Sequence, residues 1–296
     1  MYDNKTVTLI NCCDEKFEAI RKVCSSSSLK VGKADSVIEY NPAMMDNDFK
    51  QRNKDLLSIP RGAGLWIWKP YFILQTLESI PEGHYLIYLD AGVVVVNEFR
   101  HLISAMEASG QDIMVFELPL LAEEWTKGEI FSTIAKDIED SVNQILAGYI
   151  VMKNTPFVRG LIQEWLRYMQ DPVCILPHNV TDHPNHKNFV ENRDDQSVFT
   201  LVCRIHGIKP FRDPSQFGRY PFKYAWYPGI SQKFKRYSFR PHKYPNSPYP
   251  QILVSTRSEN PKKKLRKERI IRFLDSLGIY RPLYMRLLKP YLDVVE

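Results

Sequence analysis

Short apolar runs alternate with longer segments of helical periodicity along most of the chain. Five runs have the length and composition of buried strands, at residues 5–11, 36–40, 84–89, 112–116 and 144–152. Five apolar or amphipathic segments are predicted to be helices, at residues 14–23, 69–80, 99–108, 157–168 and 196–206. The polar segment at 44–57 is also predicted to be helical. Strands alternating with helices predict an α/β fold, with a mostly parallel central sheet flanked by helices.

The last part of the chain has a different pattern. Residues 218–250 are dense in aromatic, basic and proline residues, which predicts an ordered loop region without long elements. Residues 261–296 form a basic amphipathic tail after a main domain at 1–260. Its apolar positions Ile270, Phe273, Leu274 and Leu277 share one helical face.

This tail pattern is typical of a helix that lies on an anionic membrane surface, with Tyr280, Tyr284 and Tyr291 at headgroup level. The alternative is a helix packed on the domain with its basic face in solvent.

Charge and composition narrow the function classes. The chain has 296 residues and a net charge of +6. The tail carries ten Lys or Arg against four Asp or Glu, so the first 260 residues are balanced. A neutral body argues against nucleic-acid binding. No apolar stretch is long enough to span a bilayer.

The cysteines and the N-terminus indicate the compartment. Five cysteines form no Cys-x-x-Cys pair, which argues against a zinc site or a disulfide framework. The first residues do not resemble a secretory signal. We therefore expect a cytoplasmic protein, peripheral on the cytoplasmic face of the inner membrane.

Asp90 directly follows the apolar strand at 84–89, within the sequence YLIYLDAGVVVV. Ligands of parallel sheets bind outside the carboxyl ends of the strands, so this aspartate is a candidate binding residue. Gly92 stands where a metal-binding Asp-x-Asp pair would have its second carboxylate. The alternative is an aspartate that caps a helix or a turn.

The segment from Arg61 to Pro70, RGAGLWIWKP, combines two glycines, two tryptophans and two cations. Lys69 precedes a proline that favours the first turn of a helix. A phosphate bound at that helix start would offset the charge of Lys69. The alternative is that both tryptophans are core residues and Lys69 is solvated.

Four stretches in series resemble bacterial glycosyltransferases encoded in O-antigen and capsule clusters. The first is GxGxWxWKPYxILxTLxxIPxGxxLIYLDAG, which ends at Gly92. It is followed by a WTK segment at 125–127, a QIxAG strand at 144–148 and an NHxxFxExRxDQS run at 185–197. Together they cover roughly residues 5–257 in the family's order.

The resemblance implies a GT-A-like nucleotide-diphospho-sugar transferase fold, a UDP-hexose donor and a lipid-linked glycan acceptor. It implies Asp195 as the catalytic carboxylate, with Asp194 and Glu191 as substitutes. Trp125 would stack on an acceptor sugar and Thr126 and Lys127 would bind its hydroxyls, beside Gly148; a core tryptophan is the alternative. The implied donor-binding residues are Asp90, Lys69, Arg61, Trp66, Gly92, Arg193 and Arg257.

Three questions stay open on the sequence. Asp90 could hold Mn²⁺ or Mg²⁺, or Lys69, Arg61 and Arg257 could neutralise the diphosphate without a metal. Asp194 and Asp195 could instead cap the helix that they open. Arg193 could pair with a nearby carboxylate or contact a phosphate.

Two other function classes remain as alternatives. A sugar-phosphate nucleotidyltransferase normally has a glycine-rich basic loop after its first strand, where this chain has Asn11-Cys-Cys-Asp14. A non-catalytic peripheral membrane protein would use only the tail.

Overall fold

The structure is a computed structural model that describes residues 4–136, 138, 142–226, 237–257, 259–283 and 292–294. Its ten strands are β1 (Val7–Cys12), β2 (Ser36–Tyr40), β3 (Tyr85–Leu89), β4 (Val93–Val95), β5 (Ile113–Leu121), β6 (Asn143–Lys153), β7 (Phe211–Arg212), β8 (Tyr237–Phe239), β9 (Leu253–Ser255) and β10 (Leu292–Val294).

Eight strands form one sheet in the order β10-β8-β5-β6-β3-β1-β2, with β7 paired to β5. Four of its seven pairings are parallel, and β6 runs antiparallel to both of its neighbours, β3 and β5. The α/β fold class with a mostly parallel sheet is confirmed. Because β2 and β3 lie on opposite sides of β1, the strand order reverses there.

The α-helices flank the sheet. They are α1 (Glu18–Lys30), α2 (Asn47–Arg52), α3 (Lys54–Leu57), α4 (Gly62–Leu65), α5 (Trp68–Ser79), α6 (Arg100–Ala108), α7 (Ala122–Trp125), α8 (Gly128–Ile134), α9 (Pro156–Met169), α10 (Pro172–Ile175), α11 (Asp195–Ile205), α12 (Gln216–Arg219) and α13 (Pro261–Ser276).

Each face of the sheet has its own core because side chains alternate along a strand. On β3, Leu86 and Tyr88 pack with α5, α9 and α11, whereas Ile87 and Leu89 pack with α1 and α6. Both faces are covered, which explains why the strand has no polar alternation.

Several boundaries differ from the expectations. The helix predicted at 14–23 begins at Glu18 and continues to Lys30, and the strand predicted to end at Phe116 continues to Leu121. The polar segment at 44–57 forms two short helices. The predicted loop region contains the end of α12, a 3₁₀ helix (Pro221–Trp226) and β8. Its residues 227–236 lie outside the described residues.

A two-stranded ribbon was not expected. In it, β4 pairs antiparallel with β9, so Val93 lies opposite Ser255. The partner strands are far apart in sequence, and local periodicity gives no signal for such a pairing. The ribbon brings the C-terminal part of the chain to the segment that follows Asp90.

The tail helix α13 packs on the rest of the protein through one face. Glu268 accepts hydrogen bonds from Lys223, Ile271 joins a core cluster, and Asp275 accepts one from the Tyr220 hydroxyl. Tyr280 packs edge-on against Tyr220, with ring centroids 5.3 Å apart, instead of facing outward. Tyr284 and Tyr291 lie outside the described residues.

The opposite face of α13 is apolar and exposed. Ile270, Phe273 and Leu277 are 60%, 63% and 56% exposed, whereas Leu274 is half-buried. The helix is therefore packed on the protein on one side and exposed on the other, and its contact with a membrane surface stays a prediction. No helix in the described part of the chain is long and apolar enough to cross a membrane.

Candidate active site

Asp90 lies at the carboxyl end of β3, beside the point where the strand order reverses. Ligands of open α/β sheets bind at such a point. The Asp90 N–H donates to the carbonyl of Gly148 on β6 at 2.9 Å, and half of the carboxylate side chain is exposed. A Cβ on Gly148 would lie 2.9 Å from Asp90 Oδ2, so a side chain at this position would displace the carboxylate.

Tyr88 fixes one oxygen of this carboxylate. Its hydroxyl donates to Asp90 Oδ1 at 2.7 Å, and its ring is buried. Burial, together with the Asp90 charge, raises the pKa of Tyr88 well above its usual value, so the hydroxyl remains a donor. The sequence analysis missed this residue, although strand alternation puts it on the same face as Asp90.

Lys69 is buried between two carboxylates, with 3% of its surface exposed. Its Nζ donates to Asp195 Oδ2 at 2.5 Å and lies 3.5 Å from Asp90 Oδ1. Burial disfavours the ammonium, but Asp195 and Asp90 outweigh it and raise the pKa of Lys69. The alternative of a solvated Lys69 is excluded.

Asp194 and Asp195 open α11, but neither one serves the helix as a conventional cap. The Asp194 side chain makes no capping hydrogen bond within the described residues and instead accepts a forked pair from Arg61, with Nη2 at 2.7 Å. The Asp195 side chain accepts a hydrogen bond from Lys69. Burial raises the pKa of Asp195 to about 6, although Lys69 acts in the opposite direction.

The segment before Lys69 has an unusual backbone. Five consecutive residues, from Gly62 to Trp66, have positive φ angles and form a left-handed turn. Ala63, Leu65 and Trp66 are not glycines, and each such residue costs about 1–2 kcal/mol. Strain of this kind concentrates at binding sites. The turn holds half-buried Trp66 near the Arg61 guanidinium, 5.6 Å from the ring centroid.

Gly92 is in contact with the C-terminal part of the chain. Its carbonyl accepts from the N–H groups of Thr256 and Arg257 at 2.8 and 2.9 Å. A Cβ on Gly92 would lie 2.9 Å from the Arg257 Cα, so this close approach requires a glycine. The structure thus brings exposed Arg257 next to the loop of Asp90, as the donor-site prediction requires.

The carboxylates do not form a dedicated metal site. No three His, Cys, Asp or Glu side chains group around a metal position among the described residues. The Lys69 ammonium occupies the place between Asp90 and Asp195 where a cation would bind both. Mg²⁺-type ions need several oxygen ligands. Of Asp90, Asp194 and Asp195, the three described carboxylates around Lys69 and Arg61, Asp90 is half exposed and the other two are buried.

Glu191 and Arg193 form a separate group. Arg193 lies 3.0 Å from Glu191 and over the ring of Trp125, 4.4 Å from its centroid. Of the alternatives for Arg193, the structure shows the pairing with a carboxylate.

The structure corrects the acceptor-site prediction for the WTK segment. Trp125, Thr126 and Lys127 are 0%, 0% and 1% exposed, so they present no surface to a sugar. The core alternative for Trp125 therefore holds. Thr126 accepts a hydrogen bond from buried Gln144.

Lys127 instead organises the loop that leads to α11. Its Nζ donates to Glu129 at 2.6 Å and to the carbonyls of Val173 and His178 at 3.0 Å. Glu129 in turn accepts from the N–H groups of Val180 and Thr181. This buried pair, the Lys127–Glu129 clasp, ties together a loop that has little secondary structure of its own.

Solved glycosyltransferases have similar folds. Mouse xyloside xylosyltransferase 1 in its apo form is 11% identical with a TM-score of 0.46, over 86% of this chain and 98% of that one. The galactosyltransferase LgtC, in complex with donor and acceptor sugar analogs, is 12% identical with a TM-score of 0.44, over 91% and 95%. No protein-family model and no curated protein sequence matches the chain. These similarities concern the overall fold only.

Proposed function

We propose that the protein is a glycosyltransferase that moves a hexose from a UDP-sugar to a lipid-linked glycan acceptor in bacterial surface-polysaccharide synthesis. The observation that carries this proposal is the buried Lys69 between Asp90 and Asp195, at the carboxyl edge of the sheet. The arrangement combines a partly exposed carboxylate, a fixed cation and a carboxylate of raised pKa at one ligand-binding position.

Each side chain has a role in the transfer. Half-exposed Asp90, held by Tyr88, faces the donor, and the charges of Lys69, Arg61 and Arg257 offset the diphosphate as it leaves. Arg61 has to leave Asp194 to reach a phosphate, whereas Lys69 already lies beside the Asp90 loop. Trp66 and the backbone at Gly92 complete the donor site in this proposal.

Asp195 is the carboxylate that acts on the reacting groups. With a pKa raised to about 6, it is ionised at neutral pH and yet basic enough to accept a proton. It serves as base toward the acceptor hydroxyl, or as the negative group facing the anomeric carbon. Asp194, engaged with Arg61, and Glu191, engaged with Arg193, are weaker candidates for this role.

In this proposal, α13 binds the membrane surface. Three exposed apolar residues on one face of the helix, with six lysines and arginines between Pro261 and Arg269, match an anionic lipid surface. The helix begins four residues after Arg257, so a docked α13 holds the donor site near a lipid-linked acceptor. The five buried free cysteines are typical of a reducing compartment and favour the cytoplasmic face of the inner membrane.

The decisive experiment is donor turnover by the purified protein. UDP release from a panel of UDP-hexoses should fall about a hundredfold or more in Asp195→Asn, because a positioned acid–base group contributes at least that factor. Asp55→Asn, the same change at an exposed helical position, is the control and should not alter the rate.

Three results would contradict the proposal. Equal turnover in wild type and Asp195→Asn would remove Asp195 from the chemistry. No turnover of any nucleotide sugar, with vesicle binding retained, would favour the non-catalytic alternative. Pyrophosphate-dependent formation of UTP from UDP-hexose would instead favour a nucleotidyltransferase.

A further inference from the structure

A cavity of about 210 Å³ lies at the same edge of the sheet as Asp90. Because β3 and β5 are both antiparallel to β6, they run in the same direction. Glu117 of β5 pairs with Ile145, beyond Gly148 in that direction, so it lies at the carboxyl edge. Asp213 directly follows β7, which is parallel to β5, just as Asp90 follows β3.

The walls of this cavity are flat and apolar. Phe217 and Tyr224 stack with ring centroids 4.5 Å apart at an interplanar angle of 28°. Pro119 and Pro221 add two further ring faces. The rim is formed by exposed residues that include Lys243, so the cavity opens to solvent there. Apolar walls around a few polar groups are typical of small-molecule sites.

The polar floor has a spare hydrogen-bond acceptor on Asp213. Asp213 is 2% exposed and accepts from the Ser215 N–H at 2.6 Å and the Tyr224 hydroxyl at 2.7 Å. The Ser215 side chain is a third hydrogen-bond partner of this carboxylate. A carboxylate has about four acceptor positions, so about one remains for a ligand hydroxyl. Glu117 is already engaged with Arg204, His242 and Tyr244.

The charges favour a neutral ligand. Two buried carboxylates disfavour an anion, and the Arg212 guanidinium at the wall is directed to the carbonyls of Ser247 and Tyr249. The volume corresponds to about seven waters at 30 Å³ each, which is room for one small ring. A compact ligand with several hydroxyls and flat apolar faces fits this combination.

We propose that this cavity binds one neutral sugar ring of the acceptor glycan. The proposal rests on the glycosyltransferase function and specifies how that site holds its acceptor. Gln216 connects the cavity to the donor side: its amide accepts from the Ser255 N–H and donates to the Ser255 carbonyl, both at 2.9 Å. Ser255 belongs to the ribbon that ends beside Gly92.

The test uses methyl glycosides of glucose, galactose and mannose as probes, without any donor. Saturation-transfer NMR should detect binding of at least one probe to wild type. Asp213→Asn should weaken that binding tenfold or more, because it removes a buried acceptor while keeping the shape. Burial raises the pKa of Asp213, so the neutral amide is tolerated at this position. Asp48→Asn, the same change on exposed α2, should bind as wild type does.

Two outcomes overturn the proposal: no probe binds folded wild type, or Asp213→Asn binds as tightly as Asp48→Asn. If Asp213→Asn does not fold, a wild-type crystal soaked with the probe that binds replaces this comparison. Electron density for the probe outside the cavity would then overturn the proposal. Donor turnover is measured separately. Glycoside binding without UDP release would contradict the activity only, and UDP release without glycoside binding would contradict the cavity only.

Discussion

Lys69 is the residue through which the charges of the site are coupled. An ammonium buried between two carboxylates lets both remain close without a metal, and it lowers the pKa of the carboxylate that it contacts. Removing it therefore changes two properties at once, the affinity for a diphosphate and the acidity of Asp195. Both changes can be measured.

The first prediction concerns pH. Because Asp195 has a pKa of about 6 and is needed ionised, UDP-hexose turnover should fall as the pH drops below that value. In Lys69→Met the acidic limb should move to higher pH, because the cation that favours the carboxylate is gone. Profiles of kcat/KM against pH measure both. A limb that stays in place or moves to lower pH would show that another group titrates.

The second prediction concerns the metal. EDTA should leave the Kd for UDP unchanged, since Lys69 supplies the fixed charge. Lys69→Met should weaken UDP binding about tenfold, because a hydrogen bond to a charged group contributes about 1.5–3 kcal/mol. Exposed Lys54→Met is the control. Loss of affinity in EDTA that Mn²⁺ restores would instead make Asp90 a metal ligand.

At the scale of elements, the site depends on loops that are held by buried contacts. The Lys127–Glu129 clasp fixes the loop before α11, and the left-handed turn from Gly62 to Trp66 fixes the approach to α5. Both elements lead directly into a residue of the site, Asp195 in one case and Lys69 in the other. The left-handed turn carries backbone strain and the buried clasp carries a desolvation cost. Both costs are tolerated because these elements position Lys69 and Asp195.

The clasp gives the third prediction. Lys127→Met leaves Glu129 buried without its partner and should lower the free energy of unfolding by about 3–5 kcal/mol. Lys264→Met breaks a pair of similar length, 2.7 Å, whose Glu259 is half exposed, and should cost about 0–1 kcal/mol. Urea denaturation of the two variants provides the comparison. Equal destabilisation would mean that the buried pair contributes no more than the surface pair.

The sequence predicted the elements whose signal is local. The strand before Asp90, the helix after Lys69 and the helix at Asp195 are all present, because apolar periodicity depends on near neighbours. The β4–β9 ribbon was missed because its partners are remote. Lys127 was wrongly predicted to bind an acceptor sugar because a lysine is seldom buried. Its carbonyl partners, Val173 and His178, are too far away in sequence to be predicted from a local pattern.

At the scale of the whole molecule, α13 shares a core cluster with the rest of the protein. Ile271 packs with Tyr220 and Phe222, so residues before and after Pro261 are in direct contact. Deleting residues 261–296 would therefore expose a packed surface as well as remove the basic tail. Point substitutions on the exposed face of α13 change its surface without exposing the packed core, and so separate the two effects of the deletion.

The fourth prediction follows from this. Replacing Ile270, Phe273 and Leu277 by serine should abolish sedimentation with vesicles that contain anionic lipid, because the apolar contact with the bilayer is lost. The melting temperature should not fall, since all three residues are exposed. A matched triple replacement at exposed Met44, Phe157 and Val180 should leave vesicle binding intact. Equal binding by the two triple variants would show that this face of α13 does not contact lipid.

The contact between Gly92 and Thr256 also has a consequence for synthesis. The two residues are 164 positions apart, and Lys69 and Asp195 are 126 apart. At about 5–20 residues per second, the ribosome adds the later partner roughly 8–33 s after Gly92. A nascent chain thus carries the Asp90 loop long before the strand that closes it exists. Chains whose translation is interrupted before Thr256 should therefore lack the strand that closes the Asp90 loop.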